Sequence, residues 1–244
     1  MVIKLPDTIQ NVFLCGDLHG NLEFIKYQVN QRHLTNSCII VCGDVGLGFQ
    51  PKWEEHMINL VNKKLVETGC YCVCLSGNHD NPARFTDVSL VKADGSPRNW
   101  LNVPNYTVIS VCNQNILCVG GAISVDRMYR IHNNVGYWAD EQVKYQPKVE
   151  ERIDVICSHS APSFCYPKFK GEFVYGWARR DSSLLADMDI ERNTLDKVYE
   201  DYKDTVKYWY YGHFHQSNVE FINNCKFTLL NIEEIKLHEY NDKG

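Results

Sequence analysis

The sequence has 244 residues, a length that suits one large α/β domain with a substantial core. Hydrophobic residues make up 44% of it and charged residues 23%, as in ordinary globular proteins. The net charge of -5 provides no basic footprint, so general nucleic-acid binding is not expected. We expect no membrane partner and no signal peptide, because no apolar run has the required length or flanking charges.

The strands and helices of the first third alternate along the chain. We predict strands at 12–15, 38–42 and 71–75, with helices at about 21–31 and 52–67. The strands are continuously apolar, which is typical of a parallel sheet that is covered on both faces.

The second half begins with a predicted hairpin that joins 106–111 to 115–119 through the turn Cys112-Asn113-Gln114. A strand is predicted at 153–157 and an amphipathic helix at 182–203. Three further strands are predicted near the end, at 207–211, 219–222 and 227–232. The pattern favours a mixed sheet, or two packed sheets, flanked by helices.

Two stretches near 124–150 and 163–180 are rich in aromatic residues and arginines and have no clear periodicity. We interpret them as loop insertions in a single domain that spans 1–244. Their aromatic residues form either a small satellite core or a platform for a flat leaving group.

The 11 cysteines are odd in number, and no two of them have the CxxC spacing of common zinc and redox sites. Cys70, Cys72 and Cys74 alternate along the chain and should share one face of a strand. We interpret the cysteines as buried, reduced and hydrophobic, which favours a cytoplasmic location. A regulatory metal-binding or redox protein is the weaker alternative, because the paired spacing is missing.

Five of the apolar runs end in small residues and ligand-type side chains. The segments are Gly16-Asp17-Leu18-His19-Gly20, Gly43-Asp44-Val45-Gly46, Gly77-Asn78-His79-Asp80, Ser158-His159-Ser160 and Gly212-His213-Phe214-His215. Open α/β sheets bind ligands beyond the carboxyl ends of their strands. Asp, Asn and His are common ligands of divalent ions, so we expect seven such side chains to converge on one cleft.

The order of these five motifs resembles that of the calcineurin-like metallophosphoesterase superfamily, from Asp17 to His215. The resemblance implies an α/β fold, a sandwich of two mixed β-sheets flanked by helices (α/β/β/α). It also implies two metal ions, which are held by three ligands each and share Asp44 as a bridge. The first would be bound by Asp17, His19 and His215, and the second by Asn78, His159 and His213.

The implied activity is hydrolysis of a phosphoester bond by a phosphatase or phosphodiesterase. Two divalent ions about 3.5–4 Å apart clamp a phosphoryl oxygen and activate a bridging water or hydroxide as the nucleophile. The mixed donors suit Mn, Fe, Zn or Ni, and manganese is the natural metal for a first assay. A non-catalytic binding module on the same fold is the alternative, although such members often lose motif residues that are intact here.

The resemblance assigns His79 a catalytic role, either to protonate the leaving oxygen or to stabilise the phosphoryl group. Asp80 would orient His79, or it would cap a helix that begins near Asn81. The remaining histidines, His33, His56, His132 and His238, are interpreted as surface or structural residues.

The second motif lacks the arginine of the protein Ser/Thr phosphatases, which argues against that activity. Arg127 or Arg130 could bind the substrate phosphate instead, since guanidinium groups grip phosphate in a bidentate way. Arg179 and Arg180 are weaker candidates. The mildly acidic surface favours a small phosphorylated substrate or a nucleotide. Monoester or diester preference and the oligomeric state are left open.

Overall fold

In the computed structural model, which describes residues 1–239, twelve strands form two sheets that pack face to face. The elements follow one another as β1 (Val2–Lys4), β2 (Asn11–Cys15), α1 (Glu23–Gln31), β3 (Ser37–Val41), α2 (Pro51–Thr68), β4 (Tyr71–Cys74), a 3₁₀ turn (Pro82–Arg84), β5 (Trp100–Asn102), β6 (Thr107–Val111), β7 (Gln114–Val119), α3 (Arg127–Asn133), β8 (Val155–Ser158), α4 (Glu172–Ala178), α5 (Leu184–Tyr202), β9 (Tyr208–Tyr211), β10 (Asn218–Ile222), β11 (Cys225–Leu229) and β12 (Ile235–Leu237).

Both sheets are mixed. The five-stranded sheet has the order β12-β2-β3-β4-β5, in which β12 runs antiparallel to its neighbour and the other strands are parallel. The seven-stranded sheet has the order β1-β6-β7-β8-β9-β11-β10 and contains two antiparallel pairs, β6 with β7 and β10 with β11. The sandwich of two mixed sheets that the motifs implied is therefore confirmed.

Successive residues of the inner strands point to different layers. In β2, Val12 and Leu14 enter the core between the sheets, whereas Phe13 and Cys15 pack under α1 and α2. On the far side, α5 covers the seven-stranded sheet. Because both faces of each sheet are covered, the strands are apolar throughout, which explains the continuous apolar runs in the sequence.

Helix α2 shows how local sequence sets these boundaries. Pro51 stands at its first position, where the missing N–H costs no hydrogen bond. Met57, Val61 and Leu65 are spaced four apart and are buried on one face. The helix ends at Gly69, which has a φ of 66° and accommodates the left-handed stop.

The predicted hairpin is present, with a tighter turn than expected. Gln114 pairs with Val111, so the connection consists of Cys112 and Asn113 alone. Both have positive φ values, 51° and 59°, as a two-residue hairpin turn requires.

The two stretches that we interpreted as loops each contain a short helix, α3 and α4. Neither helix presents an apolar stripe to the core: the buried residues of α3 are Arg127 and Arg130, and α4 has none. Periodicity of apolar residues therefore could not reveal them. No helix in residues 1–239 is long and apolar enough to cross a membrane.

All 11 cysteines have free thiols and ten of them are buried. Cys70, Cys72 and Cys74 belong to the cluster under α1 and α2, which confirms that they share one face. They act there as small core residues.

Candidate metal centre

The five ligand-bearing segments meet at one edge of the sandwich. They follow the carboxyl ends of β2, β3 and β4 in the five-stranded sheet and of β8 and β9 in the seven-stranded sheet. Each sheet therefore contributes part of the site. The first sheet supplies Asp17, His19, Asp44 and Asn78, and the second supplies His159, His213 and His215.

The backbone in these segments is unusual. Four of the seven side chains sit on residues with positive φ: His19 (45°), Asp44 (48°), His213 (71°) and His215 (50°). Such conformations are uncommon for residues other than glycine and cluster at functional sites. The strain is compatible with side chains that are held in place for binding.

Two glycines allow the carboxylates to approach the backbone closely. A Cβ atom on Gly77 would collide with Oδ1 of Asp44, and one on Gly212 would collide with Oδ1 of Asp17. Glycine at these positions lets the strand ends fold against the carboxylates.

Asp17 and Asp44 are the buried centre of the cluster, each with a side chain that is 1% exposed. Oδ1 of Asp44 accepts a hydrogen bond from the backbone N–H of His79 at 2.7 Å and lies 3.1 Å from Nε2 of His159. Oδ2 of Asp17 lies 3.2 Å from Nε2 of His215. Both carboxylates therefore face imidazoles rather than solvent.

The other donors complete two adjoining groups. Nε2 of His19 is 2.9 Å from Nε2 of His215, and Nε2 of His159 is 3.1 Å from Oδ1 of Asn78. The rings of His159 and His213 have centroids 5.0 Å apart. The structure thus brings together all seven residues that the motifs singled out.

This donor set fits a metal centre. Within residues 1–239, every ion-pair partner of Asp17 and Asp44 is a histidine, with no Lys or Arg among them. Two buried carboxylates need a further source of positive charge. Ligand atoms of Asp17, His19, Asp44 and His215 all lie within 4.8 Å of one another. Carboxylate and imidazole donors suit divalent transition ions.

The pKa values show how the carboxylates and imidazoles of the site affect one another. Burial acts to raise the pKa of Asp44, but the neighbouring His159 outweighs it and holds the pKa below its usual value. Burial likewise acts to lower the pKa of His159, but Asp44 and Asp17 raise it to about 10. Burial lowers the pKa of His213 well below its usual value. The carboxylates of Asp44 and Asp17 and the imidazole of His159 therefore stabilise one another's charged forms.

Asp80 has a structural task that neither expected role describes. Its carboxylate accepts hydrogen bonds from the backbone N–H groups of Val45, Gly46, Leu47 and Gly77. It therefore joins the loop after β3 to the loop after β4. The short 3₁₀ turn is capped by Asn81 instead, whose side chain accepts from the backbone N–H of Ala83.

His79 lies beside the cluster and contacts Arg130. Nη2 of Arg130 is 2.7 Å from Nε2 of His79, and Nε of Arg130 donates to Asp126 at 2.8 Å. Burial lowers the pKa of His79 to about 4. A neutral imidazole retains one N–H, which can donate a hydrogen bond to an oxygen.

Of the two arginines predicted to bind substrate, Arg130 reaches the site and Arg127 does not. Arg127 is buried and bonded to Asp181, Ser183 and Asp187, so it joins α3 to α5 and the segment before it. Its guanidinium donors are thereby engaged within the protein.

Two cavities open at the cluster. The large cavity, about 880 Å³, is lined by Asp44, Asn78 and His213 together with Arg130 and residues of the second insertion. The small cavity, about 270 Å³, is lined by His19, Phe49 and Trp53. His79 lines both, so the two cavities meet there.

The sequence did not reveal two supporting features. Asn78 donates to Ser124 at 3.2 Å, and Ser124 donates to Glu141 at 2.8 Å, which fixes the amide orientation. Phe49 and Trp53 follow the second motif with no spacing that marks a cavity wall. These contacts depend on the tertiary fold, and no local sequence pattern predicts them.

Comparison with known proteins places the chain in a family. The model of the calcineurin-like phosphoesterases matches residues 11–217. No curated protein matches the chain significantly.

Several solved structures are similar at low identity. The Thermus thermophilus protein TT1561 has a TM-score of 0.50 at 10% identity, over 94% of this chain and 98% of its own. A phosphopantetheinyl hydrolase from Mycobacterium tuberculosis has a TM-score of 0.40 at 12% identity, over 93% and 92%. A putative 5'-nucleotidase from Staphylococcus aureus has a TM-score of 0.47 at 11% identity, over 93% and 50%. The likeness to TT1561 concerns the fold alone, whereas the family match spans most of the sequence; the chain belongs to the calcineurin-like phosphoesterase family.

Proposed function

We propose that this protein is a dinuclear metal-dependent hydrolase of phosphoester bonds. The observation that carries the proposal is the cluster of seven donor residues, of which two are buried carboxylates that have no Lys or Arg partner within residues 1–239. The family match supports the same class of reaction.

In this proposal the donors divide into two groups that share Asp44. Asp17, His19 and His215 would hold one ion, and Asn78, His159 and His213 the other. When bound, two such ions lower the pKa of a water and offset the charge of the phosphoryl group. Oδ2 of Asp44 lies 3.9 Å from Nδ1 of His19, and Oδ1 lies 3.1 Å from Nε2 of His159. This place between the two groups supports the bridging position of Asp44.

The chain's own contribution beyond the donors comes from His79 and Arg130. Both line the large cavity together with Asp44. The Arg130 guanidinium can bind a phosphoryl oxygen, and Asp126 fixes its direction. The N–H of His79 can donate to the phosphoryl or leaving oxygen as charge develops there.

The test is p-nitrophenol release from mono- and bis-p-nitrophenyl phosphate, first with a chelator and then with added manganese. We expect no release with the chelator and clear release with manganese. A folded, manganese-loaded protein that hydrolyses neither ester would argue for a non-catalytic binding module on the same fold. The physiological substrate in our proposal is a small phosphorylated molecule or a nucleotide.

A further inference from the structure

The small and large cavities differ in the chemistry of their walls. Phe49 and Trp53 form an aromatic wall of the small cavity, with 46% and 45% of their surfaces exposed. Phe49 is held by an edge-to-face contact with Trp138 at 5.2 Å and by Gly136, where a Cβ atom would collide with its ring. Phe49 is therefore positioned by the fold, while both rings of the wall are partly open to solvent.

Among residues 1–239, no lysine or arginine lines the small cavity. Glu54, its acidic residue, is 1% exposed, and its carboxylate accepts hydrogen bonds from the backbone N–H groups of Gly48 and Gln50. The hydrogen bonds from this loop therefore stabilise the negative charge of Glu54. The small cavity suits a flat, uncharged group, since aromatic faces stack on planar ligands and its described lining offers no Lys or Arg to a second phosphate.

The large cavity is about three times the size and has a mixed wall. Arg130, Lys168 and Lys170 line it together with Phe169 and Phe173, which are 89% and 68% exposed. It has room for a bulkier group that carries polar or charged substituents.

We propose that the substrate is an acyclic phosphodiester whose two ester arms occupy these two cavities, with a flat uncharged arm against Phe49 and Trp53. The phosphoryl group would lie where the cavities meet, at His79 and the metal donors. A monoester has a single arm, which in this proposal enters the large cavity beside Arg130 and leaves the small cavity unused. This inference rests on the proposed function and narrows its substrate class.

The reaction is a balanced hydrolysis. Water adds its hydroxyl to phosphorus, the bond from phosphorus to one ester oxygen breaks, and the remaining proton goes to that oxygen. The products are one alcohol or phenol and one phosphomonoester.

The first test compares kcat/KM for bis-p-nitrophenyl phosphate and p-nitrophenyl phosphate, with manganese, in the native protein and in Trp53→Ala. We expect the native protein to prefer the diester and Trp53→Ala to lower the diester-to-monoester ratio roughly tenfold, the effect of losing one stacking contact. Phe221→Ala is the matched control, because Phe221 is 75% exposed on β10 and lines neither cavity; its ratio should stay unchanged. A native preference for the monoester, or an unaltered ratio in Trp53→Ala, would overturn the inference.

A second measurement separates binding from turnover. In the slowed His79→Ala protein with manganese, the diester should quench tryptophan fluorescence more than it does in the same protein carrying Trp53→Phe. The monoester should show no such difference, and equal quenching of Trp53 by both esters would also overturn the inference. Loss of all turnover in the native protein with Trp53-dependent quenching retained would instead refute the proposed function and leave the two-arm binding supported.

Discussion

Among single residues, Asp44 is the proposed bridge of the centre, since its carboxylate faces donors of both proposed metal groups. Asp44→Asn removes a negative charge while keeping the shape of the side chain. We expect the variant to lose most of both metals, because the bridge serves the two ions together. Metal content measured by plasma emission spectroscopy tests this, with Asp7→Asn as the control because Asp7 is exposed and pairs with Lys4. Native metal content in Asp44→Asn would contradict the bridging role.

His79 permits a cleaner separation of binding from chemistry. His79→Ala should retain its metals and lose roughly 10²–10⁴-fold in turnover, the range for a positioned acid-base group. The control is His132→Ala, which removes an exposed imidazole from α3. Unchanged turnover on an ester with a poor leaving group would remove His79 from the mechanism.

The sequence predicted which residues gather at the site better than it predicted what each one does. The seven donors follow strand ends, so strand order alone brings them to one edge. The roles of Asp80 and Arg127 depend on contacts with residues far away in the sequence. Asp80 bonds to the backbone around Val45, and Arg127 to Asp181. Neither contact has a local signature.

At the scale of elements, α3 depends on Arg127 for its attachment. The guanidinium is 9% exposed and pairs with Asp181 and Asp187, so Arg127→Ala would leave a carboxylate buried without its partner. We expect a loss of roughly 3 kcal/mol in the free energy of unfolding, measured with urea. Arg152→Ala should change it little, because that side chain is 71% exposed.

The segment after β12 adds a pH-dependent contact between the two sheets. His238 is buried against Tyr208 and Tyr210 of β9, and its Nδ1 lies 2.9 Å from the Tyr210 hydroxyl. Burial lowers the pKa of His238 to about 4, with Glu239 acting to raise it and Lys226 to lower it. Between pH 6.5 and 4 the unfolded chain therefore binds more protons at this position than the folded one.

The contribution of His238 to the free energy of unfolding is therefore complete above pH 6.5 and is lost as the pH drops toward 4. The loss from this residue amounts to up to about 3 kcal/mol. Urea unfolding of the native protein and of His238→Gln at several pH values measures this. The native protein should lose more stability than the variant over that window. His33→Gln, an exposed control, should follow the native curve, and identical slopes for all three would refute the assignment.

Elements with long apolar runs were predictable, and short ones were not. β1, β5 and β12 have three residues each, too few for a pattern to be distinguished from chance. The strand predicted at 227–232 ends at Leu229, since Leu230 is buried but the chain then turns outward and Ile232 is 41% exposed. An apolar residue in a turn lengthens the apolar run in the sequence without adding hydrogen bonds between the strands.

At the scale of the whole molecule, the proposed centre joins the two sheets, because four donors come from one and three from the other. Metals that bind the folded protein but not the unfolded chain raise stability in proportion to the logarithm of their concentration. At one hundred times the dissociation constant the gain is about 2.7 kcal/mol. We expect chelation to lower Tm and added manganese to restore it, as measured by calorimetry.

The double variant Asp17→Asn and Asp44→Asn provides the control, since its Tm should not respond to chelator or manganese. A native Tm that is equally unresponsive would mean that the donors hold no ion in the folded state.

The layered architecture was predictable from the resemblance and from the covered strands, yet the cavities were not. Their walls combine residues from the loop after β3, the start of α2 and the second insertion. The relative placement of these segments follows from packing of the complete fold.

The buried cysteines have a practical consequence. Burial raises the pKa of thiols in both sheets, including Cys15 and Cys38 in one and Cys118 and Cys157 in the other, so they are poor nucleophiles in the native state. Cys112, in the hairpin turn, is partly exposed, whereas the other ten cysteines are buried. A thiol reagent should label that position first and the others only when their strand opens. Because the buried cysteines are distributed over most of the inner strands, their rates of labelling report the order in which the strands of the sandwich unfold.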